Sequence, residues 1–589
     1  MELVKHSFRL SIKARLLKSS GILRLLRKNH TNSNELSYIH NIGKYPLVYR
    51  TIGQQLSLIA SEFGDREAVV CVEEKKRITY DQLKNEADRL AAGFLNLGLS
   101  QGDRVGLWAP NVSSWPVVMF AAARAGLILV ALNPAYEAPE MEYCMKKVGI
   151  KALVTSESFR NKDYYNKLLE IIPDLGSFES ERIQNKKFPA LSSIVIASDK
   201  HFAGTLRLED VSSIASSSQV TQIEIIQNKI SPDSGCNIQF TSGTTGNPKA
   251  ALLTHFGLVN NGAHTGHRHE LLDKKVCVQV PLFHVFGTVM TIMACLAERA
   301  TMVIPSPVYN PDKNIRSIEK EECQVIYGTP TMYVDLVYKQ RELKLNLKAE
   351  IAATGGALCT PQLFKDMKSV LKVKKVKNAY GLTENSAVSF NTLHDDTDEQ
   401  ILETVGYVQD NIEAKVIDKE GQLVPFGTPG ELCVRGYFTM IGYWGDEQKT
   451  RETLGTDGWL RTGDQFVLQA DGYGRVVGRL KEMIIRGGEN IFPKEIENFL
   501  ATCPSVAEAY VVGVPDERLG EDLCAYVRLK IDHQNCSPQD IKDFCQGKIS
   551  YFKIPRYIKI VTEFPKTVSG KIQKFKLQAQ FKEKRNISQ

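Results

Sequence analysis

The chain has 589 residues, of which 43% are hydrophobic and 24% charged, and its formal net charge is +7. This length exceeds what one hydrophobic core usually organises, so two or more domains are expected. The composition is typical of a globular protein, and no run of 18 or more uncharged apolar residues predicts a membrane-spanning helix.

The net charge is concentrated at the N-terminus. Residues 1 to 34 contain eight Lys or Arg and one acid, so the remainder of the chain is neutral and lacks the basic excess of a nucleic-acid-binding protein. Apolar residues recur there at helical spacing, namely Val4, Phe8, Ile12 and Leu16. A basic, acid-poor, amphipathic leader is typical of a mitochondrial transit peptide and predicts a location in the matrix. A solvated basic tail or a membrane-surface helix is the alternative.

The twelve cysteines are scattered along the chain and never form a CxxC pair. No secretory signal precedes them. This usage favours free thiols in a reducing compartment over a disulfide framework.

From about residue 50, helix-like and strand-like segments alternate. The segment "TYDQLKNEADRLAAGFLNLGL" has apolar residues at helical spacing and a glycine near its end, and the short strand "DRVGLWAP" follows it. Next, "SSWPVVMFAAARAGLILVALNP" predicts a helix that passes through Gly126 into a strand. This alternation predicts an α/β fold with largely parallel sheets.

The pattern changes near residue 480. The stretch "GRLKEMIIRGGENIFP" is rich in glycine and charge, and about a hundred residues with their own strands, "AEAYVVGV" and "CAYVRLK", follow it. We therefore predict a leader over residues 1–40, a large domain over 41–480 and a small domain over 481–589, with the junction near Leu480 and Lys481.

One loop has the composition of a phosphate-binding segment. The stretch "QFTSGTTGNPKAALLTH", residues 239 to 255, differs from the Walker pattern, because Asn247 and Pro248 separate Gly246 from Lys249. Apolar runs on both sides predict a turn between two strands, whose backbone N–H groups and hydroxyls would face phosphate oxygens. A polar surface turn has the same composition and is the alternative.

Further motifs follow in order along the chain: "PLFHVFG" at 281 to 287, "TGGA" at 354 to 357, "AYGLTENS" at 379 to 386, "GWLRTGD" at 458 to 464, "GRLKEMIIRGGENIFPKEIE" at 478 to 497 and "PKTVSGKIQK" at 565 to 574. Together with the loop, they resemble the signature motifs of the adenylate-forming superfamily of acyl-CoA synthetases, peptide-synthetase adenylation domains and luciferases. Within it, "MIIRGGENIFPKEIE" and "AYGLTENS" are most similar to mitochondrial medium-chain acyl-CoA synthetases.

The resemblance implies a large multi-sheet α/β domain and a small mobile α+β domain. It also implies a reaction in two halves: a fatty-acid carboxylate attacks the α-phosphate of ATP, and coenzyme A then displaces AMP from the acyl adenylate. The implied small molecules are the fatty acid, ATP, Mg²⁺ and coenzyme A, whereas protein partners stay unknown.

The resemblance assigns ATP contacts to the residues of the loop and to single positions elsewhere: Thr241, Ser242, Gly243, Thr244, Thr245, Gly246, Asn247, Pro248, Lys249, Tyr380, Asp464, Arg479 and Lys571. Tyr380 would lie against the adenine and Asp464 would accept the ribose hydroxyls. Glu384 would hold Mg²⁺, and Thr383 would approach the α-phosphate.

Lys571 is the residue expected to drive the first half-reaction, because an ammonium between two anions offsets their repulsion. If Lys571 were only one lysine of a basic tail, its loss would have a mild effect. By resemblance, Lys481 is the hinge, where many relatives carry Asp, and Gly487 and Gly488 would line the tunnel for coenzyme A. His284 would gate the acyl pocket or assist the thiol, although a histidine among apolar residues is also common in cores.

Two other readings stay open. Adenylation could be followed by transfer to a carrier thiol or by luciferase-like oxidation, since luciferases share these motifs. A nucleotide-binding scaffold without catalysis is the second, but intact Glu384, Asp464, Arg479 and Lys571 argue against it. The acyl pocket is expected around residues 281 to 293 and 328 to 333 and near Gly356, and its depth does not follow from the sequence.

Overall fold

A computed structural model describes the chain over residues 35–179, 182–241, 248–355, 359–486, 489–516, 519–546, 548–549, 551–567 and 571–586. A large part up to about residue 480 contains three sheets covered by helices, and a small C-terminal part contains its own sheet. The predicted α/β class with a large multi-sheet domain and a small α+β domain is confirmed.

The large domain has three sheets. In spatial order, the strands of the first are Leu206–Arg207, Ser193–Ala197, Ala152–Ser156, Arg104–Trp108, Ile128–Leu132, Gly235–Thr241, Lys249–Thr254 and Gly442–Tyr443. Those of the second are Tyr407–Val408, Phe390–Asn391, Lys375–Tyr380, Ile351–Gly355, Val325–Gly328, Lys275–Val278, Thr301–Ile304, Glu67–Cys71 and Lys76–Thr79. The third sheet is fully antiparallel, with the strands Tyr38–Asn41, Ile412–Ile417, Gly430–Gly436, Leu460–Leu468 and Gly474–Arg479. A short hairpin pairs Ser158–Phe159 with Lys162–Asp163.

Helices connect the parallel strands and cover the first two sheets. They are Ile52–Phe63, Tyr80–Asn96, Ser114–Arg124, Ala138–Val148, Tyr164–Ile171, Leu208–Ser213, Ser217–Gln227, His255–Arg268, Val285–Gly287, Ala294–Ala297, Pro311–Lys320, Pro330–Leu343, Pro361–Ser369, Asp398–Glu403 and Glu447–Thr453. A π-helical segment, Thr288–Met293, joins two of them. Among the described helices, none combines the length and the apolar character that a membrane span needs.

The helix Tyr80–Asn96 shows how local sequence sets these elements. Thr79 caps it by accepting a hydrogen bond from the backbone of Gln82, whose side chain bonds back to Thr79, and this pair closes a capping box. Leu83 and Leu90 face the core. The predicted helix and the strand that follows it, Arg104–Trp108, are therefore confirmed.

One continuous core joins the three sheets of the large domain. It contains Ala131 from the first sheet, Val278 from the second and Phe466 from the third. All twelve cysteines carry free thiols, and all except Cys536 are buried. Because one core joins all three sheets, they pack as one body.

The small domain is a sheet packed against helices. Its strands, in spatial order, are Glu489–Ile491, Ile484–Arg486, Gly520–Leu529 and Val506–Asp516, with Tyr557–Ile560 pairing parallel to Gly520–Leu529. Its helices are Pro493–Leu500, Pro538–Cys545 and Lys574–Asn586. Leu523 and Ile541 lie in a core separate from that of the large domain. The turn Leu480–Glu482 lies between the last strand of the third sheet and the strand Ile484–Arg486 of the small part, and a junction at this turn stays a prediction.

The segment after residue 35 forms part of the large domain. Tyr38–Asn41 pairs antiparallel with Ile412–Ile417, so the predicted boundary at residue 40 falls inside a strand. The Asn41 amide donates to the carbonyls of Val408 and Gln409. Farther along, the backbone of Val48 exchanges two hydrogen bonds, of 2.7 and 3.0 Å, with the side chain of Asn260.

These contacts predict different effects for two truncations. Removal of residues 1–34 leaves every described contact in place, whereas removal of residues 1–50 also deletes an edge strand and the anchoring of Asn260. We expect the longer truncation alone to lower the melting temperature, by about 3 °C or more. Thermal unfolding of both proteins at one scan rate measures this, and equal melting temperatures would contradict it.

Candidate active site

Two antiparallel strands flank the glycine-rich loop, as the sequence predicted. Gly235–Thr241 pairs with Lys249–Thr254, and Thr241 lies opposite Lys249. The predicted phosphate contacts between them lie outside the described residues: Ser242, Gly243, Thr244, Thr245, Gly246 and Asn247. The Oγ1 atom of Thr241 is buried and has no hydrogen-bond partner among the described atoms. This hydroxyl is therefore suited to meet an oxygen of a bound phosphate.

Lys249 meets two groups from much later in the chain. Its ammonium donates a 2.7 Å hydrogen bond to the Tyr443 hydroxyl, which donates in turn to Oε1 of Glu384, also at 2.7 Å. Burial and the Glu384 carboxylate raise the pKa of Tyr443, so the hydroxyl keeps its proton at neutral pH. The carbonyl of Pro248 accepts a 3.2 Å hydrogen bond from Tyr143. Cation, hydroxyl and carboxylate thus form one chain beside the loop.

Glu384 lies in the turn Thr383–Asn385, just beyond the carboxyl end of the strand Lys375–Tyr380. Its own carbonyl accepts a 2.8 Å hydrogen bond from the backbone of Met440. Thr383 is buried and Glu384 half-buried. Within the described ranges, no group of three or more His, Cys, Asp or Glu side chains is arranged to hold a metal ion. A single carboxylate fits Mg²⁺, which usually takes one or two carboxylates and completes its shell with phosphate and water oxygens.

Tyr380, Asp464 and Arg479 form a second group, which lies within electrostatic range of Glu384, and the region between these residues is called the cleft below. The Tyr380 hydroxyl donates a 2.6 Å hydrogen bond to Oδ2 of Asp464. Nε of Arg479 lies 3.0 Å from Oδ1, because Asp464 and Arg479 are paired in the antiparallel register. That ion pair lacks hydrogen-bond alignment, and Oδ1 is buried without accepting a hydrogen bond from the described atoms. Oδ1 therefore retains lone pairs for a ligand hydroxyl.

Burial dominates the electrostatics of Asp464. The residue is only 2% exposed, and desolvation raises the pKa of its carboxyl above the ordinary value. The charge of Arg479 and the hydrogen bond from Tyr380 act in the opposite direction. The fold thus holds a carboxylate where its charge is unfavourable, which is common in functional sites.

Lys571 reaches the same cleft from the small domain. Desolvation by the surrounding protein and the charge of the Arg479 guanidinium lower the pKa of the Lys571 ammonium, although the residue is exposed to solvent. The carboxylates of Asp464, Glu384 and Glu482 lie within electrostatic range of it. Thr567 holds the backbone of Lys571 through two hydrogen bonds, of 2.7 and 3.0 Å. The structure therefore brings the predicted catalytic lysine to the predicted nucleotide residues.

Residues 57–444 match the family model of AMP-binding enzymes, and residues 495–571 match that of the AMP-binding enzyme C-terminal domain. The chain belongs to the AMP-binding enzyme family. Medium-chain acyl-CoA ligase ACSF2, mitochondrial, from Homo sapiens is 43% identical over 94% of this chain and 91% of that protein. Putative acyl-CoA synthetase YngI from Bacillus subtilis (strain 168) is 37% identical over 92% of this chain and 99% of that protein. The predicted resemblance to acyl-CoA synthetases is confirmed.

Solved structures of similar enzymes share the fold. The anthranilate CoA ligase AuaEII in complex with anthranoyl-AMP has a TM-score of 0.81 and 25% identity, over 92% of this chain and 99% of that chain. ATP-bound MatB from Rhodopseudomonas palustris has a TM-score of 0.77 and 24% identity, over 90% and 99%. The two-domain architecture of this AMP-binding enzyme is therefore that of known adenylating enzymes.

His284 of this AMP-binding enzyme is neutral at physiological pH. Its Nδ1 atom accepts a 3.3 Å hydrogen bond from the backbone of Phe286. Although part of the side chain is accessible, desolvation and the Lys571 charge lower its pKa to about 4. The ring lies within electrostatic range of Lys571, so it borders the site that Lys571 enters. Its function as a gate or a base stays a prediction.

The expected acyl-pocket region has apolar walls. The rings of Phe286 and Tyr327 lie 5.7 Å apart, centroid to centroid. A Cβ atom added at Gly355 would meet the Phe286 ring at 3.6 Å, so this ring packs directly against the end of the strand Ile351–Gly355. Gly356 lies outside the described residues. Such walls suit an acid with an apolar hydrocarbon chain better than an acid whose chain carries a further charge.

An ion network lies within the small domain, just beyond the predicted junction. The Lys574 ammonium lies 2.9 Å from Glu482 and 2.7 Å from Glu497. Glu482 follows Lys481, the predicted hinge, whose backbone lies in the turn Leu480–Glu482. Gly487 and Gly488, the predicted tunnel residues, lie outside the described ranges. Their functions, like that of Lys481, stay predictions.

The sequence did not single out Tyr443. Its hydroxyl contacts Lys249 and Glu384, which lie 194 and 59 positions away in the chain. The available signal is "GYW" at 442 to 444, an aromatic pair after a glycine, and such a pair is also common in cores. Only the pairing of Gly442–Tyr443 with Lys249–Thr254 brings it beside the loop.

Replacement of Asp464 by Asn should separate stability from binding. Folding raises the pKa of Asp464, so the folded chain binds the proton more readily than the unfolded chain. Stability therefore falls as pH rises from the ordinary aspartate pKa to the higher pKa of the folded state. Asp464→Asn removes the charge that burial disfavours, and with it this loss of stability. We expect an equal or higher melting temperature and an affinity for ATP reduced about tenfold or more.

Thermal unfolding and calorimetric titration with ATP measure the two effects. The exposed Asp395 provides the control, because Asp395→Asn should change neither. A melting temperature well below that of the wild type, or unchanged ATP affinity, would contradict this account of Asp464.

Proposed function

We propose that the protein is an ATP-dependent acyl-CoA ligase that activates a fatty acid, of medium chain length, and transfers the acyl group to coenzyme A. The observation that carries the proposal is the meeting of Lys571, from the small domain, with Asp464, Arg479 and Glu384 of the large domain. The substrate class is supported by 43% identity to the human protein named as a medium-chain acyl-CoA ligase.

In the first half-reaction, a carboxylate oxygen of the acid attacks the α-phosphorus of ATP. A new P–O bond forms, the bond to the β-phosphate oxygen breaks, and pyrophosphate leaves. In the second, the sulfur of coenzyme A attacks the acyl carbon, AMP leaves, and the thiol proton is released. The substrate carboxylate is itself the nucleophile, so the enzyme contributes positioning and charge stabilisation.

The nucleotide is held by groups from separate segments. The Tyr380 ring faces the adenine. Oδ1 of Asp464, which is buried and accepts no hydrogen bond from the described atoms, accepts hydrogen bonds from the ribose hydroxyls. Arg479 adds a permanent positive charge beside the ribose. Thr241, Lys249 and the intervening loop bind the phosphates, and Thr383 approaches the α-phosphate.

Glu384 would hold Mg²⁺, which usually takes one or two carboxylates together with phosphate and water oxygens. When bound, the ion would supply charge neutralisation at the phosphates. Glu384 itself is positioned by its turn and by the hydrogen bond from Tyr443.

Lys571 stabilises the first transition state. Its ammonium, within electrostatic range of Asp464 and Glu384, would approach both the attacking carboxylate and the α-phosphate, whose like charges otherwise repel each other. For the second half-reaction, the small domain rotates about Lys481 and removes Lys571 from the cleft. The backbone around Gly487 and Gly488 then lines the path of the coenzyme A thiol, and His284 borders the acyl group.

The leader directs the protein to the mitochondrial matrix. The support is the basic, acid-poor composition of residues 1–34 and the identity to relatives named as mitochondrial. Because Tyr38–Asn41 is a strand of the large domain, cleavage falls before Ser37, whose N–H bonds to Val424 at 2.7 Å.

The proposed activity predicts a defined product pattern. With ATP, Mg²⁺, coenzyme A and saturated acids of increasing length, AMP and acyl-CoA should form in equal amounts, with a maximum at medium length. Chromatographic quantification of both products tests this. AMP release without thioester would indicate a carrier thiol or oxidation as the second step, and no turnover with any acid would indicate a scaffold.

Lys571→Ala should separate the two half-reactions. Loss of the ammonium should slow acid-dependent ATP–pyrophosphate exchange about a hundredfold. Thioester formation from supplied acyl adenylate should stay within about threefold of wild type, because that step uses another face of the small domain. Lys576→Ala, at an exposed lysine on the following helix, should leave both rates unchanged. Equal losses in both half-reactions would contradict this role.

A further inference from the structure

Tyr443 lies where the phosphate-binding cation and the metal-binding carboxylate meet. Its hydroxyl accepts from Lys249 Nζ at 2.7 Å and donates to Glu384 Oε1 at 2.7 Å. These two bonds place the ammonium and the carboxylate no more than about 5.4 Å apart, with a neutral group between them. The ring of Tyr443 also contacts the ammonium, at 4.1 Å from its centroid.

The fold holds this tyrosine firmly. It is 5% exposed, its residue pairs with Ala251 across the sheet, and its N–H donates a 2.9 Å hydrogen bond to Oγ1 of Thr450. The next residue, Trp444, donates from its backbone to the carbonyl of Ala250 at 2.7 Å. Because the backbone around Tyr443 is held by hydrogen bonds, its side chain stays in place and can position neighbouring side chains.

We propose that Tyr443 is a positioning residue that keeps Lys249 and Glu384 apart and oriented for the triphosphate and its metal ion. Opposite charges this close, in a half-buried site, would otherwise form a direct ion pair, which magnesium ATP would have to break. A neutral hydroxyl forms one hydrogen bond with each charged group. Either bond can be exchanged, that of Lys249 for a phosphate contact and that of Glu384 for a metal contact. Glu452, also within electrostatic range of Lys249, adds to the need for a spacer.

This inference rests on the proposed use of Lys249 and Glu384 in binding magnesium ATP, and it assigns Tyr443 a function in binding rather than in chemistry. Tyr443→Phe keeps the ring and its contact with the ammonium and removes only the hydroxyl. ATP carries the β- and γ-phosphates that Lys249 and the metal ion would contact, whereas AMP lacks both. Comparison of the two nucleotides therefore separates positioning from general disruption of the site.

The test is calorimetric titration of the full chain and its variants with ATP plus Mg²⁺, with ATP alone and with AMP. Tyr443→Phe should weaken the binding of ATP with Mg²⁺ about tenfold and leave the binding of AMP within about twofold. In turnover, the KM for ATP should rise by a similar factor, while kcat and the KM for the acid stay close to wild type. In a Lys249→Met background, the effect of Tyr443→Phe should shrink to less than about threefold.

The matched control is Tyr80→Phe. Tyr80 is also buried, but in the described part of the chain its hydroxyl donates to the carbonyls of Cys295 and Ala300, neither of which belongs to the predicted site. This variant should leave the affinities for ATP and AMP unchanged, so it controls for the loss of a buried hydroxyl.

Unchanged ATP affinity in Tyr443→Phe would overturn the inference, and so would equal losses for ATP and AMP. Neither result depends on turnover. A wild-type protein that binds ATP with Mg²⁺ but forms no acyl-CoA would refute the proposed function and leave the role of Tyr443 standing.

Discussion

Charge compensation within the cleft is the constraint on which the site depends. The cleft gathers cations and carboxylates from separate segments, namely Lys249, Glu384, Asp464, Arg479 and Lys571. Each carboxylate of this set accepts a hydrogen bond from a tyrosine: Asp464 from Tyr380 and Glu384 from Tyr443. Tyrosine suits this task because its hydroxyl satisfies a carboxylate without adding charge, so the groups stay ionised and exchangeable when a nucleotide binds.

The same constraint explains why two domains are needed. Four of the five charged groups belong to the large domain, whose sheets share one core and cannot move apart. The fifth, Lys571, belongs to the small domain, next to Ile572, which packs against one of that domain's own cores, and its backbone N–H donates a hydrogen bond to Thr567. In the proposed reaction, a cation that is present for one step and withdrawn for the next is therefore placed on the domain that rotates. Lys574 ties Glu482 to Glu497, so the turn that contains Glu482 would rotate with that domain.

Much of this follows from the sequence, and the remainder depends on distance along the chain. The strands around the loop and the helix capped by Thr79 follow from local patterns, and the fold class follows from alternation and ordered motifs. Tyr443 could not be found in this way, since its partners are 59 and 194 positions away. The strand Tyr38–Asn41 was also missed, because "YIHN" is short and becomes a strand only through pairing with Ile412–Ile417.

That first strand also sets an order of assembly. Tyr38 bonds to Glu413, 375 positions later, and the last strand of the same sheet ends at Arg479. A chain made from its N-terminus onward therefore presents this strand long before its partner exists. The third sheet is completed only after roughly four-fifths of the chain has been made, and contacts of such high sequence separation form late and slowly. Until Ile412–Ile417 has been made, Tyr38–Asn41 is an unpaired strand that can associate with other chains.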